Sequence, residues 1–157
     1  MKEVLTIRDA VLDDVPAIHA LLEIYAPQGI VLARSKEDIA FFIGNFTVAV
    51  YENKVCGCVA VRDFGNDLLE VRSLAIQPDL RKSGIGRKLV EKAIERLDSE
   101  RGTYRLFALT LQPGFFERLN FKLVEKELFP EKIWADCVHC PKQHCCDEYA
   151  VIYNGSK

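Results

Sequence analysis

The sequence predicts an α/β fold in which a mixed sheet carries helices on its faces. Apolar segments with strand or helix spacing follow one another in the order β-α-α-β-β-β-α-β-α-β-β. Hydrophobic residues make up 49% of the 157 positions, enough to build the core of one domain. We therefore expect a single domain over residues 1–157.

The first half of the chain predicts a strand, two helices and the start of a three-stranded meander. Asp13 and Asp14 mark the start of the first helix, and Pro16 is tolerated in its first turn. Ser35 with Asp38 forms a loose capping box that opens the second, short helix. The predicted strands of this half are residues 3–8, 46–51 and 54–62, the last two joined by a hairpin turn at Glu52-Asn53.

The second half predicts the third meander strand, a long amphipathic helix and further alternation of strand and helix. The long helix has one apolar and one charged face, which is typical of a helix that covers a sheet. The predicted segments are a strand at 68–76, the long helix after the turn at 81–86, a strand at 105–110, a short helix at 115–119 and strands at 121–125 and 148–153. Residues 126–147 are expected to be irregular.

The run Arg81-Lys82-Ser83-Gly84-Ile85-Gly86 is the strongest chemical signal in the chain. It follows an apolar strand and opens the long helix, so its glycines let the backbone approach a ligand closely. The first N–H groups of that helix lack partners within the helix, and the helix dipole places positive charge there. The run therefore predicts a phosphate site.

Charge and hydropathy exclude several classes of protein. A formal net charge of −2 argues against a general nucleic-acid binder. No apolar run approaches the roughly 20 residues that span a bilayer, and the N-terminus lacks the apolar core of a signal peptide. We expect a soluble, cytoplasmic protein without nucleic-acid or membrane partners.

The six cysteines form two groups. Cys56 and Cys58 lie in an apolar strand and are expected in the core. Cys137 and Cys140 have a C-x₂-C spacing suited to zinc, with Cys145 able to supply a further ligand. The second half of the cluster lacks that spacing, which favours the alternative of thiols packed in a loop. We expect no metal, with zinc at these three cysteines as the alternative.

Three segments resemble the GNAT superfamily of N-acetyltransferases: residues 70–76 its fourth strand, residues 77–86 its pyrophosphate-binding turn, and residues 115–121 its second CoA motif. The resemblance implies a GNAT-like, mostly antiparallel sheet that is splayed at the acyl-CoA site, and acetyl-CoA as co-substrate. It further implies that the pyrophosphate lies on the turn and that the pantetheine arm pairs with the strand before it. The implied acyl-CoA residues are Leu74, Ala75, Ile76, Arg81, Lys82, Ser83, Gly84, Ile85, Gly86 and Arg87.

The implied reaction is direct attack of an amine on the thioester, without a covalent enzyme intermediate. Glu70 matches the position of the general base in related synthases, where it acts through water. Strand alternation places four residues on one face of the strand: Glu70, Arg72, Leu74 and Ile76. An ordinary surface pair of Glu70 and Arg72 is the alternative. A backbone N–H at Leu74 or Ala75 is the expected oxyanion donor. Phe116 stands where many GNAT enzymes have a tyrosine acid.

The segment at residues 28–35 resembles N-acetylglutamate synthases, in which an arginine at the Arg34 position holds the glutamate carboxylate. This resemblance implies acetylation of L-glutamate, the entry step of arginine biosynthesis, with Leu32, Arg34 and Arg72 as substrate-binding residues. An exposed arginine before a helix cap is the alternative for Arg34. Other functions stay open: acetylation of another small amine or a protein N-terminus, or a non-catalytic acyl-CoA or thiol sensor. A homodimer is compatible with the sequence.

Overall fold

The computed structural model describes residues 5–81, 83–124 and 149–156. The chain forms two compact units, one of Met1–Arg62 and Val71–Glu100, the other of Asp63–Glu70 and Arg101–Lys157. Strand β4 contributes its first three residues to the second unit and the rest to the first. The expected single domain over residues 1–157 stays a prediction.

The first unit contains the β1-β2-β3-β4 part of the sheet, with β1–β2 and β2–β3 antiparallel. Glu52 and Asn53, between β2 and β3, both have positive φ (53° and 62°), as in the primed turns of tight hairpins. The predicted meander is therefore confirmed. The elements of this unit are β1 (Thr6–Asp9), α1 (Val15–Tyr25), α2 (Lys36–Phe41), β2 (Phe46–Tyr51), β3 (Lys54–Asp63), β4 (Leu68–Ile76) and α3 (Ile85–Glu100).

The core of the first unit forms where α1 and α2 cover the strands. The buried side chains of α1 recur at helical spacing, as predicted, and pack against Ile39 of α2 and against Phe46, Cys58 and Ala75 of the sheet. The α1 members are Val15, Ile18, Leu21, Leu22 and Tyr25. Cys58 and Cys56 are free and buried, which confirms their assignment to the core. Burial raises the pKa of the Cys58 thiol to about 12, so this thiol is protonated and unreactive at neutral pH.

Helix α3 is the longest of the helices that the structure describes and is amphipathic as predicted. Its buried side chains are Ile85, Leu89, Val90, Ala93 and Leu97. Its outer face has i,i+4 ion pairs such as Arg96–Glu100, with 3.0 Å between Nε and Oε1. Among the residues that the structure describes, no helix is long and apolar enough to cross a bilayer.

The second unit contains the β4-β5-β7-β6 part of the sheet. The first residues of β4 pair in parallel with β5, from Leu68↔Arg105 to Glu70↔Phe107. The β5–β7 and β6–β7 pairs are antiparallel, so the predicted mixed, mostly antiparallel sheet with helices is confirmed. The further elements of this unit are β5 (Thr103–Thr110), α4 (Pro113–Glu117), β6 (Lys122–Val124) and β7 (Tyr149–Ser156).

Several element boundaries differ from the prediction, and for two of them the physical reason is clear. Helix α4 begins at Pro113, two residues early, because proline suits the first helical turn. Strand β7 continues to Ser156, because β5 pairs with it along its whole length, up to Thr103↔Ser156. The ring of Tyr104 fills the space above Gly155, where an added Cβ would lie 2.1 Å from the ring. The predicted irregular segment 126–147 lies outside the described residues.

Asp14 anchors the start of α1 to β1. Its carboxylate accepts hydrogen bonds from Arg8 Nη1 at 2.8 Å, Arg8 Nη2 at 3.1 Å and the Val11 N–H at 2.8 Å. The bond from Arg8 is the largest cause that holds the pKa of the Asp14 carboxyl below its usual range.

A carboxyl with a lowered pKa stabilises the fold above its unfolded-state pKa, about 3.9, and loses that contribution as the pH falls through the folded-state pKa. We therefore expect Asp14→Asn to lower the free energy of unfolding by about 1–3 kcal/mol at pH 7. The difference from wild type should shrink below about pH 4. Urea titrations at pH 7, 5 and 3 measure this. Asp13→Asn, one residue earlier and exposed, is the matched control; a difference for Asp14→Asn that stays constant down to pH 3 would contradict the assignment.

Candidate active site

Strand β4 departs from regular strand geometry at Ser73. This residue has a φ of 55°, a left-handed conformation that costs a non-glycine residue about 1–2 kcal/mol. Its neighbours hold it: Cys58 Sγ donates to the Ser73 carbonyl at 3.4 Å, and Arg34 Nη1 donates to the Ser73 hydroxyl at 3.4 Å. Distortions of this kind redirect the side chains of a strand. The regular alternation expected from Glu70 to Ile76 is therefore interrupted at Ser73.

The end of β4 is tightly bonded within the first unit. The Tyr25 hydroxyl donates to the carbonyl of Ile76. The N–H of the next residue, Gln77, donates to the Cys56 carbonyl at 2.8 Å. The peptide group that ends the strand is therefore held at both its oxygen and its nitrogen.

The predicted phosphate turn follows this peptide. After a short 3-10 turn at Pro78–Leu80, the chain passes through Gly84, whose φ is 89°, and α3 begins at Ile85. The Gly84 carbonyl accepts the first helical bond, from Lys88 N at 3.1 Å. The N–H groups of the next three residues therefore have no partner within the helix. A Cβ added at Gly84 would meet nothing within 4 Å among the described residues, so the glycine is needed for its backbone conformation.

The charge around the turn suits a phosphate. Arg81 is exposed, and its guanidinium lies 5.8 Å from the centre of the Tyr25 ring. Arg87 is also exposed and pairs with Glu91, with 3.3 Å between Nε and Oε2. Ser83 uses its hydroxyl within the turn, donating to the Leu80 carbonyl. N–H groups without a partner in the helix, open space at Gly84 and two arginines are features that suit a phosphate group. That this group is the pyrophosphate of an acyl-CoA stays a prediction. Lys82 lies outside the described residues.

The side chain of Arg34 is mostly buried, which excludes the alternative of an exposed arginine. Its side chain is 11% exposed, and its Nε lies 2.6 Å from Oδ2 of Asp38. The guanidinium also lies 5.0 Å from the ring centre of Phe46 and 5.7 Å from that of Phe42. A buried arginine needs an anionic partner, and Asp38 meets this need inside the protein. Arginine has five N–H donors. The contacts with Asp38 and Ser73 are made by Nε and Nη1, which leaves donors for a further acceptor.

The other two predicted substrate residues, Leu32 and Arg72, are close in sequence to members of this cluster. Leu32 is 53% exposed, in the segment that leads to Arg34. Arg72 is half-buried and immediately precedes Ser73. Their roles stay predictions.

Glu70 and Phe116 belong to the second unit. Glu70 is 4% exposed and lies opposite Phe107 in the β4–β5 ladder, so its carboxyl group is buried. Its role as general base stays a prediction. Phe116 is buried and packs edge-on against Phe115 and Phe121, with ring centres 5.0 Å and 5.1 Å apart. Its ring is part of an apolar cluster and has no proton to donate.

The three cysteines of the alternative zinc site lie outside the described residues. Cys137, Cys140 and Cys145 all lie in the undescribed segment. Elsewhere, in the part of the chain with described coordinates, no group of three or more His, Cys, Asp or Glu side chains could hold a metal ion.

Sequence reasoning did not identify three residues as part of this candidate site: Tyr25, Asp38 and Ser73. Tyr25 has the spacing of a core residue, and its hydroxyl partner is 51 positions away. The i,i+4 spacing of Arg34 and Asp38 is a signal for an ion pair and would have predicted that contact. No local signal marks the positive φ of Ser73.

Comparison with known proteins identifies the class. The acetyltransferase (GNAT) domain family matches residues 43–123, just over half of the chain. An uncharacterised N-acetyltransferase of Chlorobaculum tepidum is 49% identical over 146 residues, covering 93% of this chain and 94% of the relative. The chain belongs to the GNAT family of acetyltransferases.

More distant relatives have amino-acid substrates in their names. An amino-acid acetyltransferase of Neisseria meningitidis is 32% identical over 80% of this chain, which spans 29% of that protein. N-acetylglutamate synthase from Neisseria gonorrhoeae, in complex with CoA and N-acetyl-glutamate, superposes with a TM-score of 0.86 at 25% identity, over 100% of this chain and 36% of that one.

A Mycobacterium tuberculosis protein in complex with CoA superposes with a TM-score of 0.79 at 26% identity, over 94% of this chain and 97% of that one. The predicted co-substrate, acetyl-CoA, is therefore confirmed, and the protein is an acetyl-CoA-dependent N-acetyltransferase.

The positive φ at Gly84 yields a prediction about CoA binding. Gly84→Ala should cost about 1–2 kcal/mol of unfolding free energy through backbone strain. It should also weaken CoA binding by at least about fivefold, because the first N–H groups of α3 are re-aimed. Calorimetry with CoA measures the affinity.

Gly65→Ala is the matched control. Gly65 has a similar φ of 85° and equally open surroundings, but lies in the turn before β4. The control should lose similar stability and keep its CoA affinity. Equal CoA affinities for both variants would argue against the turn as the pyrophosphate site.

Proposed function

We propose that this acetyltransferase acetylates the α-amine of L-glutamate, as an N-acetylglutamate synthase that acts in the cytoplasm at the first step of arginine biosynthesis. The observation that carries the proposal is Arg34, a mostly buried arginine that keeps hydrogen-bond donors without an acceptor among the described residues. The names of the Neisseria relatives, an amino-acid acetyltransferase and an N-acetylglutamate synthase, support it.

Arg34 has the properties of a carboxylate anchor. Asp38 holds Nε at 2.6 Å and thereby orients the plane of the guanidinium. The rings of Phe42 and Phe46 reduce its exposure to water, which strengthens charged hydrogen bonds. A planar fork held in this way accepts a carboxylate in a defined orientation, which a lysine cannot do. Leu32 and Arg72 would complete the contacts to the substrate.

The chemistry needs a base for the amine and a donor for the oxyanion. Glu70 would accept the proton of the ammonium through water, since a carboxylate can act as a general base when it is correctly placed. The N–H of Leu74 or Ala75, next to the distorted Ser73, would donate to the oxyanion. With phenylalanine at position 116, the thiol would leave as thiolate, which its ordinary pKa of about 8.5 permits.

A second candidate is acetylation of another small amine or of a protein N-terminus. The side chain of Asp38 is 41% exposed although it pairs with Arg34, so an acceptor with a cationic group would find an anionic partner there. The Chlorobaculum relative has no acceptor in its name.

Thiol release from acetyl-CoA, measured against all amino acids and several polyamines, tests the proposed function. We expect turnover with glutamate well above that with neutral or cationic amino acids, because Arg34 binds the acceptor carboxylate. Turnover on a cationic amine alone would overturn the proposal.

Variants at Arg34 connect this preference to the anchor. Arg34→Ala should raise KM for glutamate by about 10- to 100-fold, with KM for acetyl-CoA changed by less than about threefold. Arg34→Lys should have a KM for glutamate close to that of Arg34→Ala, because lysine lacks the planar fork of donors that a guanidinium offers. Arg101→Ala is the matched control, since Arg101 is likewise largely removed from water and pairs with two aspartates, Asp63 and Asp67. Equal increases in both KM values would exclude an anchor role.

Glu70 gives a separate prediction about the chemical step. Glu70→Gln keeps the size and polarity of the buried side chain but removes the base, so kcat should fall by about 10²- to 10⁴-fold. The affinity for CoA, measured by calorimetry, should stay the same. Glu95→Gln, an exposed substitution of the same kind on α3, should leave both quantities unchanged. Wild-type turnover in Glu70→Gln would remove Glu70 from the mechanism.

A further inference from the structure

We infer that Tyr25 is a positioning residue for the acyl-CoA site, through two separate contacts. Its hydroxyl holds the end of β4, and its ring lies against Arg81 of the phosphate turn. Both contacted residues belong to the segment that binds acyl-CoA, whereas Tyr25 itself lies in α1, more than 50 positions earlier in the chain.

The hydroxyl contact determines where the strand ends. Tyr25 is the last residue of α1 and is 6% exposed, with its ring in the apolar core of the first unit. Its hydroxyl donates to the Ile76 carbonyl, and the neighbouring Gln77 N–H donates to Cys56 O at 2.8 Å. The peptide group between Ile76 and Gln77 is therefore fixed by α1 on one side and by β3 on the other.

Fixing this peptide fixes the entry to the turn. Pro78 follows, which restricts Gln77 to extended conformations, and Gln77 has φ −53° and ψ 131°. The 3-10 turn then leads to Arg81 and to the first N–H groups of α3. A change in the orientation of the Ile76–Gln77 peptide would therefore also change the orientation of the first N–H groups of α3, which face the phosphates.

The second contact, between the Tyr25 ring and Arg81, positions a positive charge. The Arg81 guanidinium lies 5.8 Å from the centre of the Tyr25 ring, within the range of a cation–π contact. Arg81 is exposed, so without a surface to lie against its long side chain samples many conformations. The ring restricts it to the side of the turn on which α1 ends.

The backbone of Tyr25 makes a third contact, toward the acceptor side. Its carbonyl accepts from the Ile30 N–H at 3.3 Å, at the start of the segment that leads to Arg34. One residue thus borders the strand, the phosphate turn and the loop before α2. Substitutions at Tyr25 can separate the two functions, because phenylalanine keeps the ring and lacks the hydroxyl, whereas leucine lacks both.

Tyr25→Phe tests the hydroxyl. We expect CoA to bind about 5- to 10-fold more weakly by calorimetry, the effect of one lost hydrogen bond on the positioning of the site. Tyr104→Phe is the matched control: Tyr104 is 1% exposed, but it lies in β5 of the second unit. The control should lose thermal stability and keep its CoA affinity within about twofold. Unchanged CoA affinity in Tyr25→Phe, or an equal loss in Tyr104→Phe, would overturn the inference.

A double-mutant cycle tests the ring. Arg81→Ala should weaken CoA binding by a similar factor in the wild-type and Tyr25→Phe backgrounds, because both keep the ring. In Tyr25→Leu the same change should have less than half that effect on a logarithmic scale, since Arg81 is no longer held there. Equal effects in all three backgrounds, or no effect of Arg81→Ala in wild type, would exclude a positioning role for the ring.

Discussion

The peptide group between Ile76 and Gln77 links the sheet to the turn before α3, and the proposed acyl-CoA site depends on it. Its oxygen accepts from the Tyr25 hydroxyl, and its nitrogen donates to Cys56 O. A helix N-terminus binds an anion well only if its N–H groups point to a fixed place. The bonds to this peptide provide that condition, because they determine how the chain leaves β4 and where α3 begins.

The surroundings of Arg34 show how a charged side chain can be largely removed from water and keep hydrogen-bond donors for a further partner. Removing a guanidinium from water is costly, and Asp38 and the two phenylalanine rings offset that cost. Asp38 lies in the first turn of α2, and its N–H donates to the capping hydroxyl of Ser35 at 3.1 Å. The start of α2 therefore sets the position of the carboxylate, and the carboxylate sets the orientation of the guanidinium. In the proposed function, this arrangement would select an acceptor by the geometry of its carboxylate as well as by its charge.

Local signals predicted the elements whose conformation is decided locally. The β2–β3 hairpin, the glycine turn before α3 and the apolar face of α3 were all predicted, because turn residues and helical spacing act over a few positions. The length of β7 was not, since Asn154 and Gly155 are poor strand formers and extend only because β5 pairs with them. The conformation of Ser73 was not predicted either, because its cost is met by contacts from Cys58 and Arg34, 15 and 39 positions away.

The sequence by itself determined the fold class and the glycine turn before α3, and it indicated Arg34 as a candidate site residue, because each depends on residue types at short spacing. The tertiary structure decided what surrounds these residues. It buried Arg34 against Asp38, buried Glu70 in the β4–β5 ladder and brought Tyr25 to the end of β4. The physical reason is that burial and long-range hydrogen bonds arise only when separate elements pack together, and no local pattern encodes their partners.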